Sequence, residues 1–454
     1  MLKIHDSFDN LQNTVNHRKK VAVIGSGISG LAAAWHLQHD CDVEIFESEE
    51  QIGGHSHTVK HMDEYGDHWI DMGFIVFNRP CYPNLVALFE ALDVKHELAD
   101  MSFGVSARGG NYEYSSLGVD GIIAQKSNLL SPRFYGMIFD IIRFNKNALS
   151  DFAKGKNLDL SLGEYLIKGK YGKTFIEDHL LPQAAAIWSC TAEKISEYPF
   201  ESFVRFFSNH GLLQLKDRVL WRSVVGGAQA YLKKIITNFN GEIHVSCPIK
   251  NVVRHDNKVE LFGTDKSLGL YDDVVFATHT DVTAKIFNDA ATSLEKEIIG
   301  TIKYSKNRVI LHKDVKLMPK RRKAWAAWNY ISNTKGLCVS YWMNILQRLE
   351  TKQDYFVTLN PPIEIAPEKI ISERIFDHPI FDANALNAQK RVGEIQGVRN
   401  FWYCGAWQGY GFHEDGLQSG LAVAEAISGR KRPWDFDNSQ SRLAYQMPQM
   451  VQNA

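Results

Sequence analysis

Hydrophobic positions along this chain change their period several times, and the first change is the most informative. Val21-Ala22-Val23-Ile24 is an unbroken apolar run, the signature of a strand buried on both faces. Lys20 to Ile24 is therefore predicted to be a parallel strand. Apolar residues then recur at helical spacing from Ile28 to Gln38, and a second apolar run, Asp42 to Phe46, ends on Glu47. Between strand and helix lies Gly25-Ser26-Gly27-Ile28-Ser29-Gly30. Gly25 permits a tight turn, Gly27 lets backbone approach a pyrophosphate, and Gly30 lets the helix pack closely on the strand. The helix N-terminus offers free N–H groups and a partial positive charge to phosphates. Glu47 is placed to accept hydrogen bonds from a ribose, and an acid there disfavours a 2′-phosphate, which argues against NADP. The bland alternative is a glycine-rich turn without a ligand; the strand, helix, second strand and acid at matching spacing favour a dinucleotide.

Later segments carry other periods. "IHVSCPIKNVVRHDNKVELF" and "YDDVVFATHT" read as short strands of a small sheet. "AWAAWNY" and "SYWMN" alternate aromatic with small or polar residues, so Trp325, Trp328, Tyr330, Tyr341 and Trp342 either wall a tunnel or fill a core. "SPRFYGMIFDIIRF" places Phe134, Met137, Ile138, Ile141 and Ile142 on one helical face between Arg133 and Arg143. That amphipathic helix packs on its own domain or rests on a membrane. Near the end, a strand stops at Gly405 and a helix runs from about Asp415 to Ile427.

With 454 residues, two domains are expected. Lys plus Arg number 51 against 52 Asp plus Glu, which removes the electrostatic case for a nucleic-acid binder. Six scattered cysteines form no CxxC pair, so neither a metal site nor a disulfide framework is expected, and a reducing cytoplasm fits. The polar N-terminus lacks the apolar region of a signal peptide. No apolar run approaches the roughly 20 residues that span a bilayer. Lys320-Arg321-Arg322-Lys323 is either a solvated loop or an attractor of anionic lipid headgroups at the inner face of the membrane.

After Glu47 the chain continues "SEEQIGGHSHTV", and Gly53-Gly54 gives a longer cofactor a second backbone approach. With "DMGFIVFNRPCYPNLVALF", "LMPKRRKAWAAWNY", "FVTLNPP", "HPIFDANALNAQ" and "FWYCGAWQGYGFHEDGLQSGLAVAEAI", the sequence resembles the flavin amine oxidase and phytoene desaturase superfamily. More narrowly it is similar to FAD-binding proteins encoded beside cyclopropane fatty-acid synthases. The resemblance implies an α/β fold: a Rossmann-type FAD-binding domain (1–78, 210–289 and 389–430) interleaved with an α+β substrate domain (79–209 and 290–388). A polar, loosely ordered tail, 431–454, would follow.

Carried over residue by residue, the resemblance implies non-covalent FAD held by Gly25, Gly27, Ile28, Ser29 and Gly30. Glu47, Ser48, Gly53, Gly54, His55, Asp71, Gly73 and Phe74 would come next along the chain. Ile249, Ala277, Gly405, Glu414, Asp415, Gly416 and Leu417 complete that set. Relatives keep a glutamate soon after the strand glycine and a Gly-Ala pair at the helix start, where this chain has Ala406-Trp407 and Asp415-Gly416. Asn307 aligns with a lysine that many amine oxidases water-bridge to the flavin, and Asn cannot be a cation. Tyr410 and Phe412 fall where relatives place aromatics against the flavin, with His413 and Glu414 as the nearest titratable groups. The catalytic candidates are thus Asn307, Tyr410 and His413, while His312 reads as a core histidine.

The function these features imply is hydride removal from an apolar substrate, an unsaturated or methyl-modified fatty acyl chain, with dioxygen as acceptor. Two rivals remain: an amine oxidase, and a non-catalytic FAD-binding partner of a lipid methyltransferase.

Overall fold

The computed structural model describes residues 18–188, 192–214, 219–287, 289–333 and 336–448. Its first layer is a five-stranded sheet, all parallel, in the order Glu242–His244, Cys41–Phe46, Lys19–Ile24, Asp273–Phe276, Phe401–Tyr403. The central strand ends in the buried run read from the sequence, and its side chains serve both faces. Val21 and Val23 pack into one core with the helix Ile28–Leu37, while Ala22 and Ile24 pack into another with Val274 and Phe276. Register matters here. Ile24 pairs with Phe46 and Phe276, and Phe276 with Tyr403, so four strands finish in one row. Gly25, Glu47, Ala277 and Cys404 therefore emerge side by side at the carboxyl edge, where open α/β sheets bind ligands.

The second layer is a seven-stranded sheet in the order Ile370–Ile380, Lys303–His312, Phe356–Leu359, Gly336–Trp342, Trp328–Asn333, Phe103–Ala107, Tyr112–Ser115. All its pairs are antiparallel except Trp328–Asn333 with Phe103–Ala107. A helical cluster covers it, built around Phe134, Phe144, Phe175, Phe200, Phe203 and Phe207. The two layers are the interleaved pair that the sequence predicts, and each draws strands from distant parts of the chain.

The structure narrows three expectations. The helix Pro132–Ala153 does not offer Phe134 and Met137 to a membrane, because both are buried in the domain core. Its exposed apolar residues are Tyr135, Phe139 and Ile142. Ile138 and Ile141 pack against the same core, so the helix packs on its own domain, and Ile142 alone of the five is exposed. Asp140 is drawn inward beside them: it accepts from the Gly172 N–H at 2.8 Å and from Arg143 at 3.0 Å. The basic run is largely committed within the protein. Arg321 pairs with buried Glu113 at 2.8 Å, and Arg322 binds both oxygens of Asp354. The tail is not loose as far as it is described. Trp434 stacks on Trp35 at 6.0 Å, Tyr445 donates to Gln408 at 2.7 Å, and Arg442 pairs with buried Asp415 at 3.2 Å. Residues 449–454 lie outside the described residues.

Candidate active site

The phosphate loop is set by local backbone chemistry. Gly25 has φ of +101°, a conformation that side chains resist. A β-carbon at Gly30 would sit 2.0 Å from the Gly25 carbonyl oxygen, so glycine there lets the helix reach the strand. At Gly27 an added β-carbon meets nothing within 4 Å, because that position faces open space. The helix Ile28–Leu37 begins at Gly27 with no side-chain cap, which leaves its first N–H groups for a ligand. Glu47 braces the loop: its carboxylate accepts from the Ser26 N–H at 2.9 Å, the Ser26 hydroxyl at 2.5 Å and the Glu49 N–H at 2.9 Å.

This loop forms one wall of a cavity of about 850 Å³. Of the residues expected at the cofactor, Gly25, Gly27, Ile28, Ser29, Glu47, Ser48, Gly53, Gly54 and His55 line it. Gly73, Phe74, Ile249, Ala277 and Gly405 line it as well, together with Tyr410 and His413. The remaining expected residues stand behind that wall. Gly30 packs against the strand. The Asp71 carboxylate accepts from the Ala228 N–H at 2.9 Å and from Gln347 at 2.7 Å, tying two segments together. Glu414 accepts from the Asn84 and Leu85 N–H groups at 3.0 and 2.9 Å, so it caps a neighbouring helix. Asp415 caps its own helix through the Phe412 N–H at 2.7 Å. Gly416 lets that helix, His413–Ser428, approach Ile28, and Leu417 is buried in the core between them. Asn307 is also set back: its amide donates to His378 Nδ1 at 3.2 Å, and His378 is the group that reaches the cavity.

Beside the expected His55 and His413, the nucleotide wall carries His279, His378 and Tyr304, which the sequence did not single out. His55 lies 5.6 Å, ring to ring, from both His279 and His378, and His279 stacks on Tyr304 at 4.5 Å. Burial, helped by these like neighbours, pushes His378 down to about 4 and His55 well below the ordinary imidazole range. His413 stacks on Phe74 at 3.8 Å and shares a hydrogen bond with the Tyr231 hydroxyl at 2.8 Å. Tyr231 in turn bonds Ser56. Burial pushes His413 down to about 3, so at neutral pH it is an uncharged ring.

The opposite wall is aromatic and aliphatic. Met72, Ile75 and Val76 line it with Phe103, Phe206, Trp221, Trp328, Tyr341 and Phe412. Trp325 and Trp342 instead pack on each other and on Phe356, and Tyr330 joins the helical core. His312 is a core histidine, fixed by Thr358 at 2.7 Å and the Asp314 N–H at 3.0 Å.

FAD fits this cradle. The open space at Gly27 admits a phosphate, and the adjacent helix terminus is uncapped. Two buried polar atoms in residues lining the cavity, Trp407 Nε1 and Asp377 Oδ1, have no partner among the described residues and await a ligand. No described cysteine lines the cavity, so no thiol there is placed to tether a flavin.

A phosphate cradle that opens onto an aromatic chamber defines the class, a dinucleotide-binding flavoprotein. Residues 28–308 match the model for flavin containing amine oxidoreductases, and the chain belongs to that family. It is an FAD-dependent oxidoreductase. Among solved structures, putrescine oxidase bound to putrescine is similar over 91% of this chain and 100% of its own, with 13% identity and a TM-score of 0.64. Cyclohexylamine oxidase from Brevibacterium oxydans IH-35A matches over 91% and 99%, at 15% identity and a TM-score of 0.63. A CLA-producing fatty acid isomerase from P. acnes matches over 88% and 97%, at 16% identity and a TM-score of 0.62. At these identities the likeness is one of fold.

Proposed function

We propose that the substrate is apolar where it reacts, an unsaturated or methyl-modified fatty acyl chain, free or esterified in phospholipid. The net change is loss of two hydrogens from the substrate, one as hydride and one as proton, with dioxygen reduced to hydrogen peroxide. The observation that carries this reading is the aromatic wall. Every Asp, Glu, Lys or Arg lining the cavity belongs to the segments that follow the parallel strands (Glu47, Glu49, Lys250), to the helix Thr280–Phe287 (Lys285) or to the strand Ile370–Ile380 (Arg374 and Asp377). An ammonium group entering between Phe103, Phe206, Trp328 and Tyr341 would lose its water and find ring faces but no carboxylate in return. The existence of a fatty acid isomerase on this fold supports the choice of acyl chain.

FAD, when bound, supplies the two-electron acceptor. The chain's own residues bind and position. Gly25, Gly27, Ser29, Gly53, Gly54 and Gly405 would hold the diphosphate side, and Glu47 and Ile249 the adenosine. His413, fixed by Phe74 and Tyr231, keeps a neutral ring at the head of the C-terminal helix, with Tyr410 beside it. Asn307 acts through the His378 ring it orients. The aromatic wall excludes water from the reacting carbon.

Cytoplasmic placement with peripheral lipid contact belongs to the same reading. No described helix is long and apolar enough to cross a membrane. Exposed Val119, Leu130, Tyr135, Phe139 and Ile142 supply an apolar strip on the substrate domain.

The test is anaerobic mixing of the FAD-loaded protein with total phospholipid, unsaturated fatty acids, polyamines and aromatic amines. Bleaching of the yellow colour by lipids alone is expected. Bleaching by amines with lipids inert would install the amine oxidase reading instead. A flavin that nothing reduces, in a protein that co-purifies with a lipid methyltransferase, would favour a non-catalytic role.

A further inference from the structure

One histidine of the cavity stands apart from those of the nucleotide wall. His210 follows the helix Phe200–Asn209, is buried, and lines the cavity. Three rings fix its plane: Phe206 stacks on it at 3.9 Å, Trp221 at 6.0 Å, and Phe412 lies tilted at 5.7 Å. Its Nδ1 lies 2.8 Å from the Phe206 carbonyl oxygen. A carbonyl can only accept, so Nδ1 carries the hydrogen, and in the neutral ring Nε2 then presents a bare lone pair. That Nε2 is buried and has no partner among the described residues. Native proteins satisfy such atoms, directly or through a ligand. Trp328 repeats the pattern with opposite polarity: it lines the cavity, and its Nε1–H lacks an acceptor among the described residues.

We infer that His210 determines substrate specificity by accepting a hydrogen bond from a neutral hydroxyl group on the apolar substrate. An O–H group complements a bare lone pair because it donates. An ether or an alkene can only accept, and an alkane does neither. The inference rests on the apolar-substrate reading above and narrows it to chains that bear a hydroxyl. The burial that holds His210 neutral, pushing it down to about 4, works against an ion pair with a carboxylate. Arg442 is the charged group that adds to this depression.

The experiment uses the FAD-loaded protein and reads the shift of its visible flavin spectrum on titration. The probes are 1-dodecanol, methyl dodecyl ether and dodecylamine. The alcohol is expected to bind about tenfold more tightly than the ether, the difference one neutral hydrogen bond makes. In His210→Phe, which keeps the ring stack but removes the lone pair, the two should bind alike, with ether affinity unchanged. His210→Gln, which restores an acceptor, should recover part of the preference. Equal binding of alcohol and ether by the natural protein, or a preference that survives H210F, overturns the role of His210 and leaves the apolar chamber standing. If only dodecylamine shifts the spectrum, or if none of the three does, the apolar-substrate reading falls and this inference falls with it. Should H210F fail to retain FAD, the alcohol-to-ether ratio of the natural protein decides.

Discussion

The two walls of the cavity are made by different means. The nucleotide wall is largely main chain: glycines, strand ends in one row, and a helix start without a cap. The aromatic wall is side chain throughout, gathered from Phe103, Phe206, Trp221, Trp328 and Tyr341 on separate elements. A main-chain wall tolerates almost no change in the residues that shape it, since any β-carbon enters the ligand's space or the backbone behind it. A side-chain wall can be remodelled one ring at a time. The difference teaches where this protein is fixed and where its specificity can drift.

Substitutions can widen or erase that contrast. Gly30→Val should have the largest effect, because its β-carbon would lie 2.0 Å from the Gly25 carbonyl oxygen. A loss of about 3 kcal/mol or more is expected in denaturant unfolding. Gly27→Val should leave the apoprotein as stable as before but weaken FAD at least about 100-fold, read as a colourless purified protein. A yellow G27V would show that the cofactor does not use this loop.

Acid should come next. His179, His210, His312 and His378 are pushed down to about 4 by burial, and His413 to about 3. The unfolded chain protonates these rings near pH 6.5, so it binds more protons than the folded state between that pH and about 4. Stability is therefore complete above about pH 6.5 and falls as the pH drops toward 4. Asp71, pushed up to about 7 by burial, and Asp178, Glu414 and Asp415, also raised by burial, act in the opposite sense, but the lowered histidines, His55 and His279 among them, outnumber these acids. A melting temperature that stays flat from pH 7 to 4.5 would contradict the neutral histidines on both walls.

Trp328→Phe should act on the aromatic wall alone. FAD content and stability should change little, while KM for an active apolar substrate rises several-fold as one N–H donor is lost. The smallest effect on stability is expected from Phe139→Glu, within about 0.5 kcal/mol at a position 65% exposed. Its consequence should appear in sedimentation with phospholipid vesicles, which the variant should lose if the strip touches lipid.

The sequence made the main-chain wall legible, because glycine spacing and apolar runs are local signals. Both early strands and the helix between them match the structure to within one residue at each end. The C-terminal helix begins two residues earlier than its glycine and acids suggested, so His413 is its first residue rather than a loop neighbour. The aromatic wall left no such trace. His210 sits in "FFSNHGLLQL", where nothing marks it, and its meaning comes from Phe206, Trp221 and Phe412 closing around it. Asn307 was found by alignment to a strand, yet period-two alternation cannot say how far along the strand the cavity extends. Val309, two residues on, lines it, as does Tyr304 earlier on the same strand. The apolar face of the helix Pro132–Ala153 was legible: Phe134, Met137, Ile138 and Ile141 all pack on the domain core, and the buried Asp140 is what the pattern did not show.

The stretch after the C-terminal helix has a consequence for how the protein matures. Arg442 reaches back to Asp415 and to the Cys81 carbonyl, and it is the cation that offsets two buried acids, Glu414 and Asp415. Until a ribosome has added that arginine, the segment that presents His413 carries uncompensated negative charge, and the sheet has only recently received its last strand. Flavin capture should therefore wait for that arginine. A nascent chain cut short of Arg442 should emerge without colour even though every glycine of the loop is already in place.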